Sequence, residues 1–296
     1  MHPSTSNLRG IALMVLATGV FVTNDTFMKL ATEGLPPLQV LFLRGVSATI
    51  WCVPLLFITG AVRQMRFFRD RWVVLRSVVE TVAVSLFVIC LANMPIADIT
   101  ALGQLAPMMM LLGLALFFRE KLALNRLLLI AVGFAGAVLV AQPGGSGFTI
   151  FAVLGFVQAV VTGLRDVVLR KVPPAAPSLI VAFSAIIIVM IGAGAAHLTF
   201  EKWVMPDTRH LLLLLGAGLF LMIGHFAISA AYRTGEPGVV APFYYMFAVW
   251  AVISGLVVFH TVPNPLAFVG IAMILGSGVT VALLDERKRR RLQVLA

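Results

Sequence analysis

The sequence predicts an all-α membrane protein with ten transmembrane helices arranged as two inverted five-helix repeats. Three observations lead to this class: long apolar runs, turn-forming residues between them, and a second half that repeats the first. Hydrophobic residues make up 60% and charged residues 11% of the 296 positions, and mean hydropathy is +1.04. A soluble protein could not cover its surface with so few polar groups. The composition therefore excludes an ordinary soluble enzyme, a nucleic-acid binder and a disordered regulator.

The apolar runs have the length that a helical membrane crossing needs, which is about 20 residues. Proline, glycine and asparagine mark the connections at 35–37, 93–95, 142–145, 172–174 and 262–265. The runs are continuous, whereas barrel strands would alternate over about ten residues. Helices are therefore predicted at 10–30, 37–60, 72–93, 97–118, 124–141, 149–171, 178–197, 210–233, 238–260 and 265–284.

The basic residues predict the orientation of these helices. With the N-terminus inside, 18 of the 22 Lys and Arg residues fall on the cytoplasmic side, and only Lys202 and Arg209 fall outside. Lys29 and Arg44 lie within helices. Cytoplasmic loops carry the Lys/Arg excess, so both termini are predicted to lie in the cytoplasm. The predicted location is the bacterial inner membrane. The net charge of +10 then reflects topology and anionic lipid, and no nucleic-acid partner is expected.

An internal repeat divides the chain. A shift of 141 residues places Asp25 on Asp166 and Lys29 on Arg170. The predicted units are residues 1–141, a linker at 142–148, and residues 149–296 with a basic cytoplasmic tail. Five helices per unit is an odd number, so the second unit must be inverted, as in many secondary transporters. This arrangement favours transport, and a channel is the alternative.

Three short runs resemble a known family. They are Phe-Arg-Glu-Lys-Leu at 118–122, Gly-Phe-Ala-Gly-Ala-Val-Leu-Val at 133–140, and Gln-Pro-Gly at 142–144. They resemble the end of the first half of EamA-type transporters in the drug/metabolite transporter superfamily, and Arg76 fits the same pattern. Within the superfamily the chain resembles bacterial metabolite or amino-acid exporters, such as those of the YddG type. The resemblance covers essentially the whole chain and implies a ten-helix carrier for small metabolites.

Polar side chains inside the membrane are the candidate substrate-binding residues, because each costs free energy there unless it faces a cavity or a partner. Amide and aromatic groups suit a ligand with polar and apolar parts. For Gln104 and Gln158 an interhelical hydrogen bond is the alternative, and for His225 a structural hydrogen bond. The predicted substrate-binding set is Asn24, Glu80, Gln104, Gln158, Thr162, His225, Tyr244 and Trp250.

A group of charged residues in the first two helices is the candidate gate or coupling site. Asp25 and Lys29 are spaced i, i+4 and share a helix face, which predicts an ion pair. Arg44 lies at a similar depth in the second helix and could compete for Asp25. The group is either a structural ion-pair cluster or a gate with a coupling carboxylate. Arg76 and Glu80 have the same spacing and are predicted to pair.

The fifth and tenth helices are predicted to be scaffold. Gly133 and Gly136 in one, and Gly276 and Gly278 in the other, allow close approach of neighbouring helices. No motif for a nucleophile, a metal centre or ATP binding is present, so no enzyme activity and no cofactor or metal is predicted.

The predicted function is a secondary carrier that exports small metabolites, namely amino acids or related amphipathic compounds, by alternating access. An uptake permease or a channel is the alternative. The expected partners are the small-molecule substrate and the lipid bilayer, with a monomeric protein.

Overall fold

The structure is a computed structural model that describes residues 3–118, 124–141 and 149–295. The predicted linker at 142–148 and the run at 119–122 lie outside the described residues, as do the side chains of the basic tail at 287–291. Every regular element in the described ranges is a helix. The α-helices are α1 (Pro3–Ala31), α2 (Pro37–Ile58), α3 (Arg71–Asn93), α4 (Ile96–Gly103), α5 (Ala106–Phe118), α6 (Leu124–Ala141), α7 (Ile150–Leu169), α8 (Ser178–Phe200), α9 (Thr208–Thr234), α10 (Pro237–Val240), α11 (Met246–Val258) and α12 (Pro265–Leu295), and the 3₁₀ helices are η1 (Ala61–Arg69) and η2 (Ala241–Tyr245).

Eight segments of the described chain are long and apolar enough to cross a membrane, which makes this a multi-pass membrane protein. Two further predicted crossings correspond to shorter apolar helices, Leu127–Val140 and Pro265–Val281. The eight segments are Asn7–Ala31, Pro37–Ile58, Arg71–Asn93, Ile96–Phe117, Ile150–Leu169, Ser178–Phe200, Thr208–Thr234 and Ala241–Val258.

Polar residues at the helix ends position the apolar runs. Asp70 begins α3, where its Oδ1 accepts hydrogen bonds from the amides of Trp72 at 2.9 Å and Val73 at 3.2 Å. Asp207 begins α9 in the same way and accepts from the amide of His210 at 2.8 Å. This hydrogen bond lowers the pKa of the Asp207 carboxyl, because it stabilises the charged form. Both carboxylates satisfy amides that have no partner inside the helix.

The most extensive helix packing joins the two halves of the chain. α1 packs along α9, α3 along α7, α2 along α8, and α6 along α12. α2 also contacts α9, α3 contacts α8, α5 contacts α7, and α11 contacts α1. The centre of this interleaved bundle is filled by fully buried apolar side chains, among them Met28, Leu41, Leu91 and Ile99.

Two crossings predicted as continuous helices are broken. The predicted helix at 97–118 is interrupted after Gly103 by a turn at Gln104, and the one at 238–260 consists of α10, η2 and α11. Pro107 and Pro242 stand at the breaks, and neither residue can donate a backbone hydrogen bond. Irregular backbone at membrane depth is tolerated where it is buried in protein or lines a cavity. The breaks therefore point to a cavity between these two crossings.

Glycines bring α6 and α12 close to neighbouring helices, as predicted, and at one point bring the two helices against each other. A Cβ at Gly136 would lie 2.6 Å from the carbonyl oxygen of Gly270, so the two backbones touch at this point. Gly133 faces Met108, and Gly278 faces the ring of Tyr245. The prediction for Gly276 is wrong, because a Cβ there would meet no atom of the described residues within 4 Å. Spacing along the helix could not show which glycine faces a neighbour.

Substitution of these glycines tests the packing. Gly136→Leu should force α6 away from α12 and lower the yield of folded protein, because the contact is with backbone that cannot rotate aside. Gly276→Leu is the matched control on the same pair of helices and should leave the yield unchanged. The measurement is the monodisperse fraction in size-exclusion chromatography of detergent-solubilised protein. Equal yields for the two variants would contradict the assigned contact.

Candidate functional site

A central cavity of about 160 Å³ lies where α1, α3, α4, α7 and the broken crossing around η2 meet. It lies beside both breaks, since Gln104 belongs to one and Tyr244 to the other. Five predicted substrate-binding residues meet here: Glu80, Gln104, Gln158, Thr162 and Tyr244. The other lining residues are Asp25, Ala83, Val84, Phe87, Thr100, Gly103, Arg165 and Phe247.

Two amide side chains in this cavity have unused hydrogen-bond acceptors. Gln104 is 4% and Gln158 is 8% exposed, and within the described chain neither Oε1 atom has a hydrogen-bond partner. The Gln158 Nε2 donates to the Thr162 Oγ1 at 3.0 Å, and the Thr100 Oγ1 is also unpaired. A buried acceptor without a partner costs about 1–3 kcal/mol. The cavity therefore presents acceptors to a ligand that carries N–H or O–H groups and apolar parts.

An ion-pair network closes one side of the cavity. The Arg165 Nη1 lies 2.9 Å from Glu80 Oε2, and the Arg165 Nη2 lies 2.7 Å from Asp166 Oδ1. The predicted pair of Arg76 and Glu80 is confirmed at 3.3 Å. Arg165 was not among the predicted site residues. The internal repeat could have identified Arg165 as a site residue, because the alignment of Asp25 with Asp166 places Arg165 opposite the predicted site residue Asn24.

The predicted ion pair between Asp25 and Lys29 is wrong. The Lys29 Nζ donates instead to the carbonyl oxygens of Leu91 at 2.6 Å and Met94 at 2.9 Å. Carbonyl groups in the last turn of a helix have no partner within the helix, so the end of α3 offers acceptors that outcompete the carboxylate. Asp25 lines the central cavity and accepts a hydrogen bond from the Asn24 Nδ2 at 2.8 Å.

Three predicted substrate-binding residues lie outside the central cavity. The Trp250 Nε1 donates to the carbonyl of Val15 at 3.1 Å and its ring packs against Gly19, so it joins α11 to α1. Asn24 is buried against Asp25. His225 lines the two further cavities described next. Helical position alone could not distinguish these faces from the one that Gln158 occupies.

Two larger cavities open at the end of the bundle that carries η1 and the α7–α8 connection, here called the basic end. Each has a volume of about 390 Å³. Counting the central cavity as the first, we call these two the second and third cavities. The second cavity is lined by Arg44, Arg76, Glu80 and His225 and by the α7–α8 connection. The third cavity separates 59–64 from the start of α8 and also reaches His225. The second cavity shares Glu80 and Val84 with the central one, so the two lie side by side.

The opposite end of the bundle is held together by hydrogen bonds. Glu201 accepts from the amides of Leu38 at 3.1 Å and Gln39 at 3.2 Å, at the start of α2. The Gln39 amide side chain bonds the backbone of Val204 in both directions, at 2.5 and 3.0 Å. A carboxylate at a helix N-terminus is favourable because it meets unpaired amides and the positive end of the helix dipole. Sequence reasoning missed these residues, which become neighbours only through the packing of α2 beside the α8–α9 connection.

Comparison with known proteins confirms the resemblance to EamA-type transporters. Residues 8–142 match the EamA-like transporter family. A riboflavin transporter of Vibrio cholerae is 26% identical over 98% of this chain and 97% of its own length. The pseudopaline exporter CntI of Pseudomonas aeruginosa is 27% identical over 90% and 93%. An S-adenosylmethionine uptake transporter of Rickettsia conorii is 22% identical over 96% of each chain.

A solved crystal structure shares the fold. It superposes with a TM-score of 0.59 at 20% sequence identity, over 96% of this chain and 98% of the other. The three relatives above are named as transporters or as an exporter.

Proposed function

Because residues 8–142 belong to the EamA-like transporter family, we propose that this protein is a secondary carrier that moves a small amphipathic metabolite by alternating access. The observation that carries this proposal is the central cavity, where unpaired amide oxygens of Gln104 and Gln158 lie beside two broken helices. Discontinuous helices at mid-membrane substrate sites are typical of secondary transporters.

The carrier has ten crossings in two inverted repeats, residues 1–141 and 149–296. The pairwise packing supports this arrangement, because it is unchanged when the two repeats are exchanged. The contact of α1 with α9 corresponds to that of α7 with α3, and the contact of α5 with α7 corresponds to that of α11 with α1. The breaks beside Pro107 and Pro242 also fall in equivalent crossings. The helices α6 and α12 are the fifth and tenth crossings and pack on each other as scaffold.

The basic end faces the cytoplasm, and both termini lie there. Support comes from the excess of Lys and Arg at this end. The structure then corresponds to an inward-facing arrangement, with the two large cavities open to the cytoplasm and the opposite end held by Glu201 and Gln39. Outward opening requires these hydrogen bonds to break. A channel would need both ends open at once, which the closed opposite end disfavours.

The substrate carries hydrogen-bond donors and an apolar part. The donors match the amide oxygens, and the rings of Phe87 and Phe247 supply apolar surface in the same cavity. Amino acids meet this description, and export follows from the resemblance to amino-acid exporters. Uptake is the second candidate, since the Rickettsia conorii relative is named as an uptake transporter.

Counterflow in proteoliposomes tests the proposal. Purified protein is reconstituted with a high internal concentration of one unlabelled compound, and uptake of a trace of the same labelled compound is followed, with aromatic amino acids and riboflavin as the first compounds. A carrier should show a transient overshoot with at least one compound, and Gln158→Ala should reduce it. Asn93→Ala, which removes an exposed amide at the end of α3, is the matched control and should keep the overshoot. Flux that equilibrates without overshoot would indicate a channel and contradict the proposal.

A further inference from the structure

Arg44 is a membrane-embedded cation without a direct partner. It projects from α2 into the second cavity, and among the described residues its guanidinium makes no hydrogen bond and no ion pair within 4 Å. Its Nε atom is buried and unpaired. An isolated cation removed from water is costly unless an anion or several acceptors compensate it. The two charges that act on Arg44, those of Asp25 and Glu80, do so only through space.

The neighbouring charges leave Arg44 available to a ligand. Glu80 already binds Arg165 at 2.9 Å and Arg76 at 3.3 Å. Asp25 lines the central cavity and is hydrogen-bonded to Asn24. Arg76 also has two buried unpaired atoms, Nε and Nη1, and it lines the second cavity together with Arg44. Two guanidinium groups with unused donors therefore border one cavity of about 390 Å³, a volume within the range of small-molecule sites.

We propose that the transported metabolite carries a carboxylate that Arg44 binds in the second cavity, and that its polar donors reach the Gln104 and Gln158 amides in the adjoining central cavity. This inference rests on the proposed carrier function. The planar guanidinium fork matches a carboxylate with two parallel N–H···O bonds, and such charge-assisted bonds are the strong ones. Glu80, which borders both cavities, separates the carboxylate end of the ligand from its donor end.

A pair of nearly isosteric probes tests the anion preference. Benzoate and benzamide are added separately to the detergent-purified full chain, and the midpoint of thermal unfolding is measured against concentration. Benzoate should raise the midpoint of the wild type by mass action, and by more than benzamide does, because benzamide carries no negative charge for Arg44 to bind. Arg44→Gln should weaken the apparent benzoate affinity roughly 10- to 100-fold, and Arg44→Lys should retain part of it. Arg209→Gln, at an exposed arginine at the opposite end, should leave the response unchanged.

Three results of the benzoate test would contradict binding of a carboxylate by Arg44. Equal responses to benzoate and benzamide in the wild type, or no response to either, would overturn it even if Arg44→Gln fails to fold. A benzoate response that survives intact in Arg44→Gln would also overturn it.

Counterflow separates this inference from the proposed function. If a neutral or cationic compound shows overshoot and Arg44→Gln leaves that overshoot unaltered, the carboxylate proposal is wrong and the carrier proposal stands. If benzoate stabilises the protein through Arg44 but no compound shows counterflow, the carrier proposal is wrong and the anion site stands.

Discussion

Arg165→Met is expected to lower the free energy of unfolding by about 3 kcal/mol, because it leaves two carboxylates without their main partner. Glu80 would keep only Arg76, and Asp166 would lose its ion pair. Removal of one partner from a buried pair costs about 3–5 kcal/mol, and the lower value applies because these side chains retain 16–24% exposure. The measurement is the unfolding midpoint and slope in mixed micelles.

Two further variants test whether the loss comes from uncompensated charge. Asp166→Asn in the Arg165→Met background should restore part of the lost stability, since it removes the carboxylate that has lost its ion pair. Arg209→Met is the matched control. It removes an arginine that is 63% exposed and lies 3.7 Å from Glu33, and such a surface pair contributes at most about 1 kcal/mol. If Asp166→Asn adds to the loss, the network is not the source of the stability assigned to it.

Trp250→Ala is expected to destabilise the protein by about 3 kcal/mol and to leave substrate affinity unchanged. Its indole joins α11 to α1 through the carbonyl of Val15 and packs against Gly19. Truncation of a large aromatic side chain costs about 3–5 kcal/mol, and Trp250 is only partly buried, so the lower value applies. Thermal unfolding and binding of the compound identified by counterflow are measured on the same preparations.

Gln158→Ala is the matched opposite case. Gln158 lines the central cavity with an acceptor that has no partner, and within the described residues its side chain bonds only Thr162 on the same helix. Stability should change by no more than about 1 kcal/mol, while affinity falls because the ligand loses its acceptor. If Trp250→Ala weakens binding at unchanged stability, Trp250 belongs to the site and the cavity described here is incomplete.

Several features of this protein follow from the amino-acid sequence alone. Membrane location, helical structure and most helix boundaries follow from hydropathy and from punctuation by proline and glycine, because these are local properties of the chain. The ion pair of Arg76 and Glu80 was also predictable, since both residues lie one turn apart on the same helix. The family resemblance rested on residues near the end of the first half, where the match to the EamA-like family ends.

The remaining features depend on contacts between distant segments. Lys29 was expected beside Asp25, but the end of α3 offers it carbonyl oxygens from residues more than 60 positions away. Tertiary packing also selects Gly270 as the partner of Gly136, directs Trp250 toward α1, and joins Arg165 to Glu80 across α7 and α3. Sequence spacing determines which residues share a helix face. Only the packed bundle decides what each face meets, because the competing partners come from other helices.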